Sequence, residues 1–445
     1  MIVQRILTNY SIFGDKLFMK FYIITLGCKV NQYESQIMHE KLINSGYTHI
    51  DDKNLADIVV INSCTVTSVS DSKAVKLLHR VRRENPHCII ILTGCLSQAF
   101  PNDIRLGDAD IILGNRNRGK LLPAIERYLL NPQRIIDVSD HSKDDAFEPM
   151  IVSTFNERTR AFVKIEDGCN RFCSYCIIPY ARGRVRSKSL DSILEELTRL
   201  ADSGYKEIVL VGINLSAYGQ ELNMDLADAI EAACSVDGIE RVRLGSLEPE
   251  RMDINTINRI SKMDKLCPQF HLSLQSGCDE TLKRMNRHYN TADYLEIVNN
   301  LRNAFDNCTI TTDIMVGFPG ETDLEFNQSL EFAKVVAFDK AHVFEYSRRP
   351  GTVADKAPNQ VDEITKKKRS VKMIAITDET RIQSLHNQIG RVEEVLFETP
   401  HEGTFDGYTR NYTPVVVKTN EPIGGEIRRI KITNVTASKC IGELI

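Results

Sequence analysis

Between residues 21 and 130 the hydrophobic positions fall into short β-branched runs, at 21–26, 58–62, 88–93 and 109–113, with amphipathic stretches between them. That alternation predicts a parallel α/β sheet domain. The stretch 137–149 holds Asp137, Asp140, Asp144, Asp145 and Glu148 with few apolar residues, so it reads as an exposed linker with a boundary near residue 150. A second alternation begins at 161, with candidate strands at 161–166, 206–212, 239–246, 269–274, 308–316 and 340–346 and helical stretches in each gap. Leu190, Ile193, Leu194, Leu197 and Leu200 carry the helical period, and Gly204 is placed to end that helix. Six βα repeats predict a full or partial barrel whose active site lies where strand C-termini meet the following loops. Residues 360–383 read as a basic helix, and beyond Arg391 short runs at 392–398, 414–419 and 426–434 with Gly-containing turns predict a small β-barrel.

The expected plan is α/β throughout its first two parts: an N-terminal sheet domain over 21–135, a linker over 136–154, a partial (β/α)6 barrel over 155–384 and a small β-barrel over 385–445. Residues 1–20 are expected to be a disordered extension; Met19 directly precedes the first strand, so initiation there rather than at Met1 is the other reading.

Composition narrows the class. A chain of 445 residues, 42% hydrophobic and 26% charged, has an ordinary globular balance and room for roughly three domains. Its 56 Lys and Arg against 60 Asp and Glu give a net charge of −4, so nucleic-acid binding must come from local patches. No apolar run approaches the roughly 18 residues of a membrane span, and residues 1–20 lack the pattern of a signal peptide. The expected compartment is the cytoplasm. Twelve cysteines in such a chain are too sparse for a disulfide scaffold, which leaves metal or redox chemistry.

The strongest motif is Cys169-Asn-Arg-Phe-Cys173-Ser-Tyr-Cys176, directly after the strand 161–166. Three thiolates at this spacing can hold three corners of a [4Fe–4S] cluster and leave the fourth iron open; a zinc site is the alternative, though structural zinc wants a fourth ligand and the next cysteine, Cys234, is 58 residues away. A second set, Cys28, Cys64 and Cys95, stands at or just after three strand ends of the first domain. In a parallel sheet those ends form one rim, so the three can converge; three unrelated buried thiols are the alternative. Cys88 and Cys234 read as core.

The CxxxCxxC run at the end of a first barrel strand resembles the radical S-adenosylmethionine (SAM) superfamily, in which the open iron binds SAM and one electron releases a 5′-deoxyadenosyl radical. The resemblance puts Tyr175 against the adenine and makes Gly212, Ser246, Glu248, Gln275, Asp313 and Gly317 cofactor-binding positions, each at a strand end. A loop or core hydrogen bond is the other reading of each. Both cysteine sets, in this order, resemble the methylthiotransferases from about residue 21 to the C-terminus, including Arg182-Gly183-Arg184, Met285-Asn-Arg287 and a terminal barrel similar to a TRAM RNA-binding domain. Within that family Gly-Cys28-Lys-Val-Asn-Gln-Tyr-Glu-Ser, His342-Val-Phe-Glu-Tyr346-Ser-Arg-Arg-Pro-Gly351-Thr and Asn411-Tyr412 look like the branch acting on tRNA threonylcarbamoyladenosine. One departure is Glu345, where that branch has a proline.

The resemblance implies two [4Fe–4S] clusters, one at each cysteine set, two SAM per turnover, a tRNA substrate, and a reductant such as flavodoxin or ferredoxin. All six cysteines are then both metal ligands and catalytic. The sulfur donor is not readable. The same chemistry on isopentenyladenosine tRNA or a ribosomal-protein aspartate stays open, as does an iron–sulfur RNA-binding or electron-transfer module. RNA-binding candidates are the acid-free segment 169–188, with Arg171, Arg182, Arg184, Arg186 and Lys188, and the terminal-barrel residues Phe405, Tyr408, Arg410 and Tyr412. The basic runs 73–83 and 366–372 fit solvated helix faces as well as RNA. Gly114-Asn-Arg-Asn-Arg-Gly119-Lys120-Leu121 has phosphate-loop spacing, but Leu121 stands where a magnesium-binding hydroxyl is required, so it reads as a strand-to-helix turn.

Overall fold

The computed structural model describes residues 19–155, 159–401 and 403–445, so the extension expected at 1–18 lies outside the described residues. The chain divides into two compact units: one runs to Val152 and includes Gly168–Asn170 and Cys176–Arg184, and the other comprises Ser153–Asp167, Arg171–Tyr175 and Val185–Ile445.

In the first unit β1 (Lys20–Thr25), β2 (Thr48–His49), β3 (Ile58–Ser63), β4 (Ile89–Gly94), β5 (Ile111–Leu113) and β6 (Ile135–Asp137) form one parallel sheet in the order β2-β1-β3-β4-β5-β6. β3 and β4 are buried along their whole length, the reason their sequences are continuous apolar runs rather than alternations. Alternate residues serve opposite faces: Ile58 and Val60 pack with Met38 and Leu42, while Val59 and Ile61 pack with Leu78 and Val81. The short edge strands β2 and β6 add to the four expected. Residues Asn115–Lys120 form a 3-10 turn leading into the helix Leu121–Leu130, and Lys120 pairs with Asp137 at 3.1 Å, in keeping with the turn reading of that segment.

The second unit contains β7 (Arg160–Lys164), β8 (Glu166–Asp167), β9 (Arg186–Ser187), β10 (Glu207–Val211), β11 (Arg241–Leu244), β12 (Ser246–Leu247), β13 (Gln269–Leu272), β14 (Thr309–Val316) and β15 (Lys340–Glu345). The parallel sheets β11-β10-β7 and β12-β13-β14-β15 meet at Gly245, which splits the single strand expected over 239–246. The result is an open arc of six βα repeats, as the alternation predicts. Side-chain caps start its helices, Ser189 before Leu190–Asp202 and Asp225, Asn290 and Thr322 within capping boxes.

The helix Glu363–His386 leads into a closed barrel of β16 (Val392–His401), β17 (Thr404–Thr409), β18 (Pro414–Lys418), β19 (Ile427–Val435) and β20 (Cys440–Leu444), in the order β16-β17-β18-β20-β19. Leu385 of that helix shares the barrel core with Val395, Phe397, Phe405, Val415, Ile430 and Cys440. Phe405 is therefore a core residue and not a stacking surface.

The turn 408–413 joins the barrel to the arc. Tyr408 and Tyr412 stack with ring centroids 4.5 Å apart. Arg160 lies over both rings at 5.0 and 5.5 Å, and Arg243 over Tyr412 at 4.8 Å. Arg243 donates to the carbonyls of Arg410 and Thr409 at 2.6 and 2.7 Å, Thr309 Oγ1 donates to Asn411 O at 2.6 Å, and Arg410 donates to Leu266 O at 3.2 Å. Arg160 and Thr309 are the first residues of β7 and β14. The turn thus closes the amino end of the arc, and Tyr408, Arg410 and Tyr412, each half-buried, are engaged there by residues of their own chain.

Candidate functional site

In the first unit Cys28 precedes the helix Lys29–Asn44, Cys64 follows β3 and Cys95 follows β4. β1, β3 and β4 are neighbours, so parallel topology brings three thiols remote in sequence to one rim. The backbone packs tightly there: a Cβ at Gly27 would lie 2.8 Å from Cys64 Cβ, and one at Gly94 would lie 2.3 Å from Ser63 O. Both glycines have positive φ, 113° and 101°, which favours glycine further. All three thiols are free; Cys28 is exposed and the others buried. Burial and then Cys95 push the Cys64 thiol up to about 12.

A buried polar shell surrounds this rim. Asn31 Nδ2 donates to Leu26 O at 2.8 Å and Ser63 O at 3.0 Å, fixing the Cys28 loop to the end of β3. Arg182, wholly buried, places Nε 3.2 Å from Cys95 Sγ and Nη1 2.5 Å from Glu34 Oε1. Glu34, also wholly buried, is shared with Arg118 at 2.9 Å. None of Arg118, Glu34 and Asn31 was singled out from the sequence as a site residue; the only signal was the position of Asn31 and Glu34 in the segment after Cys28. Among the described residues no group of three or more His, Cys, Asp and Glu is gathered as one metal ion requires. A cluster asks for something else, one thiolate at each of three separate corners.

In the second unit Cys173 lies beside Arg287, whose Nη1 is 3.4 Å from Sγ. Arg287 also forks onto Glu248, donates to Ser273 O at 3.1 Å and to Tyr289 Oη at 3.1 Å. Ser174 donates to Arg284 O at 2.8 Å, and its N–H reaches Met285 O at 3.0 Å. Asn286, at φ 58°, donates to Phe172 O at 3.1 Å. The Met285-Asn-Arg287 segment thus clamps the cysteine loop, a role the sequence did not assign it. Burial pushes the Cys173 thiol up, and Arg287 offsets this only in part.

Tyr175 packs on the cluster Met285, Met315, Phe318, Tyr346 and Ala354. Gly212 sits against the Glu166 carboxylate, which accepts from Asn214 N at 2.7 Å. Ser246 is exposed in register with His271, and Asp313 lies 3.3 Å from His271. Gln275, at φ 67°, holds β14 through Asp313 O at 2.9 Å, while Gly317 N donates to Glu321. Two buried acceptors, Gln275 Oε1 and Glu166 Oε1, have no donor.

Of the expected RNA-binding cations, Arg182 is buried as described, and Lys188 is buried in a pair with Glu196. Both expectations are corrected: a buried cation neutralised by a carboxylate offers nothing to a phosphate. Arg186 pairs with Asp167 at 3.3 Å, Arg171 with Glu250 at 2.5 Å, and Arg184 is exposed. In the run 366–372, Lys366 and Arg369 are buried, Arg369 against Glu321 at 2.8 Å. In the run 73–83, Lys73, Lys76, Arg80 and Arg83 are exposed, while Arg82 binds Asp110 at 2.5 Å.

An open arc of six βα repeats with a clamped three-cysteine loop defines a radical SAM protein, and the Radical SAM superfamily profile matches residues 163–333. "Uncharacterized protein family UPF0004" matches residues 20–114. The chain is 38% identical over 416 residues to the threonylcarbamoyladenosine tRNA methylthiotransferase MtaB of Bacillus subtilis, covering 92% of each chain. It is 38% identical over 392 residues to the enzyme of the same name from Thermotoga maritima, covering 88% of this chain and 89% of that one. It is 33% identical to the tRNA-2-methylthio-N(6)-dimethylallyladenosine synthase of Pelotomaculum thermopropionicum, covering 96% and 97%. The fold matches that of the radical SAM methyltransferase TsrM from Kitasatospora setae, at TM-score 0.56 and 12% identity over 76% of this chain and 75% of that one. The chain belongs to the radical SAM methylthiotransferase family, and it is an enzyme of that chemistry.

The family uses a [4Fe–4S] cluster and SAM, and the residues present fit both. The cysteine loop supplies three thiols without a fourth. The donorless Gln275 Oε1 and Glu166 Oε1 suit a ligand rich in donors, as SAM is through its ammonium and ribose hydroxyls. No helix among the described residues is long and apolar enough to cross a membrane.

Proposed function

We propose that the chain is a tRNA threonylcarbamoyladenosine methylthiotransferase, replacing the hydrogen on carbon 2 of that modified adenosine, next to the anticodon, with a methylthio group. The observation that carries this reading is 38% identity over 92% of both chains to an enzyme named for that reaction. Cys169, Cys173 and Cys176 hold the cluster at the arc. When bound there, cluster and SAM supply the 5′-deoxyadenosyl radical that an unactivated carbon–hydrogen bond demands, since no protein acid or base labilises it. Arg287 keeps the cysteine loop in place through Cys173 and forks onto Glu248. Glu248, Gln275, Asp313, Ser246, Gly212 and Gly317 line the strand ends where SAM would be oriented, with Tyr175 against its adenine.

Cys28, Cys64 and Cys95 would hold a second [4Fe–4S] cluster, which would supply the sulfur chemistry of the methylthio group and would call for a second SAM per turnover. Arg184, exposed in the segment after the cysteine loop, draws the tRNA backbone. A reductant such as flavodoxin or ferredoxin supplies electrons in the cytoplasm. Mass spectrometry of nucleosides from bulk tRNA of the source cell, with and without the gene, tests this. The methylthio form of threonylcarbamoyladenosine should vanish on deletion and return with the intact gene but not with Cys173→Ala. Loss of methylthio-isopentenyladenosine instead would overturn the substrate assignment.

A further inference from the structure

Arg182 is, with Arg241, Arg243 and Arg349, among the largest fully buried side chains of the described residues. It sits on the helix Ile178–Arg182, which follows Cys176 of the radical SAM loop, yet its guanidinium is spent on the other cysteine set. Nη1 and Nη2 fork onto Glu34 at 2.5 and 3.1 Å, Nη2 also donates to Asn31 Oδ1 at 2.8 Å, and Nε points at Cys95 Sγ from 3.2 Å. Glu34 is in turn held by Arg118, which reaches Glu148 at 3.8 Å. Charges alternate along this chain of groups, and the cation at its end faces a thiol.

We infer that Arg182 is a positioning residue for the cluster that the proposed function assigns to Cys28, Cys64 and Cys95, and that its N–H···S bond to the Cys95 thiolate sets that cluster's reduction potential. The physical reason is charge. Three thiolates around a cluster carry net negative charge to a rim at which Cys64 and Cys95 are buried, and reduction adds one more. A guanidinium against a ligating sulfur stabilises the reduced form and withdraws density from the thiolate, the lever that hydrogen bonds to sulfur exert on such clusters. Glu34 fixes the fork so that Nε has one direction available. Lysine would keep the charge but not that geometry. The inference also ties the two cysteine sets together in sequence: the segment that closes the radical SAM motif supplies the partner of the second set.

The test uses full-length protein carrying Cys173→Ala, reconstituted anaerobically, so that only the second cluster is read. With Arg182 intact it should bind about four irons per chain; no iron at all would overturn the second-cluster reading, and this inference with it. Adding Arg182→Gln should leave iron bound and make reduction harder by roughly tenfold in the equilibrium constant, about 59 mV for one electron, in an EPR-monitored titration. Adding Arg182→Lys should recover part of that shift. Should Arg182→Gln lose its iron, retention by Arg182→Lys at a lowered potential supports the inference. Iron retained at the parent's potential in either variant, or lost from both, overturns it.

Discussion

The two ends of the six-stranded arc each carry an Arg–Glu pair, buried at the amino end and half-buried at the carboxyl end, and they are finished differently. At the amino end Glu207 is met by Arg243 at 2.7 Å, Arg160 at 2.9 Å and Arg241 at 3.6 Å. Arg241 and Arg243 then end on carbonyls of Glu394, Thr409 and Arg410. At the carboxyl end Arg287 divides itself among Glu248, Ser273, Tyr289 and the Cys173 thiol, while Gln275 and Glu166 each keep a buried acceptor with no donor. At the amino end the arginines are engaged by groups of their own chain, although Arg160 Nε and Nη2 make no hydrogen bond. The carboxyl end keeps open acceptors at the strand ends, where a barrel places its chemistry.

The largest test exchanges damage between the ends. Cys173→Ala should drop 5′-deoxyadenosine formation to background while urea unfolding changes by less than about 1 kcal/mol. Arg243→Met should do the reverse: it strips Glu207 of its shortest partner and costs roughly 1–3 kcal/mol, because a buried carboxylate loses its hydrogen-bonded guanidinium while Arg160 and Arg241 remain. Radical formation per folded molecule should stay within about twofold, as distant sites act independently. If Arg243→Met stopped the radical chemistry at unchanged stability, the division between the ends would fail.

The ends also answer pH with opposite signs. Burial alone would push Glu207 up, but Arg243, Arg160 and Arg241 together hold it below the usual carboxylate range. Its contribution is therefore present above that range and lost as pH falls through the lowered value. Glu166 is driven the other way, well above the carboxylate range, by burial that Asn214 N–H offsets only in part. Its contribution is present in acid and lost as pH rises. Glu207→Gln should thus cost about 1–3 kcal/mol near pH 7 and converge on the parent in acid. Glu166→Gln should gain on the parent between about pH 4 and pH 7. Urea unfolding across that range reads both, and parallel slopes for the two variants would contradict the assignment.

The carboxyl end was the more legible in the sequence, for a physical reason. Candidate ligands such as Cys173 in the arc, like Cys28, Cys64 and Cys95 in the first unit's sheet, stand at strand ends, and strand ends are marked by where β-branched runs stop. What the sequence concealed was the use of side chains whose partners are distant. Arg182 and Lys188 look like phosphate-binding cations until folding supplies Glu34 and Glu196. Likewise β2 and β6 are too short to carry a pattern, and β11 and β12 are divided by one glycine that pattern alone reads through. Arg287 was visible as a residue but not as a partner of Cys173, because the contact spans the arc.

The smallest test concerns Tyr412, since the same aromatic turn could serve RNA or the fold. Arg160 and Arg243 over its ring contribute roughly 0.5–2 kcal/mol each, with more from stacking on Tyr408. Tyr412 already sits at φ 66°, so alanine adds no new backbone strain and isolates the ring. Tyr412→Ala should therefore lower stability by about 1–2 kcal/mol and leave tRNA affinity within about twofold. Arg184→Ala should instead reduce the salt dependence of tRNA binding by about one counterion. The pairing matters more than either result. A tenfold loss of tRNA affinity in Tyr412→Ala at full stability would mean that the amino-end joint opens to receive RNA, and the closed end of the arc would then belong to the substrate as much as the open one.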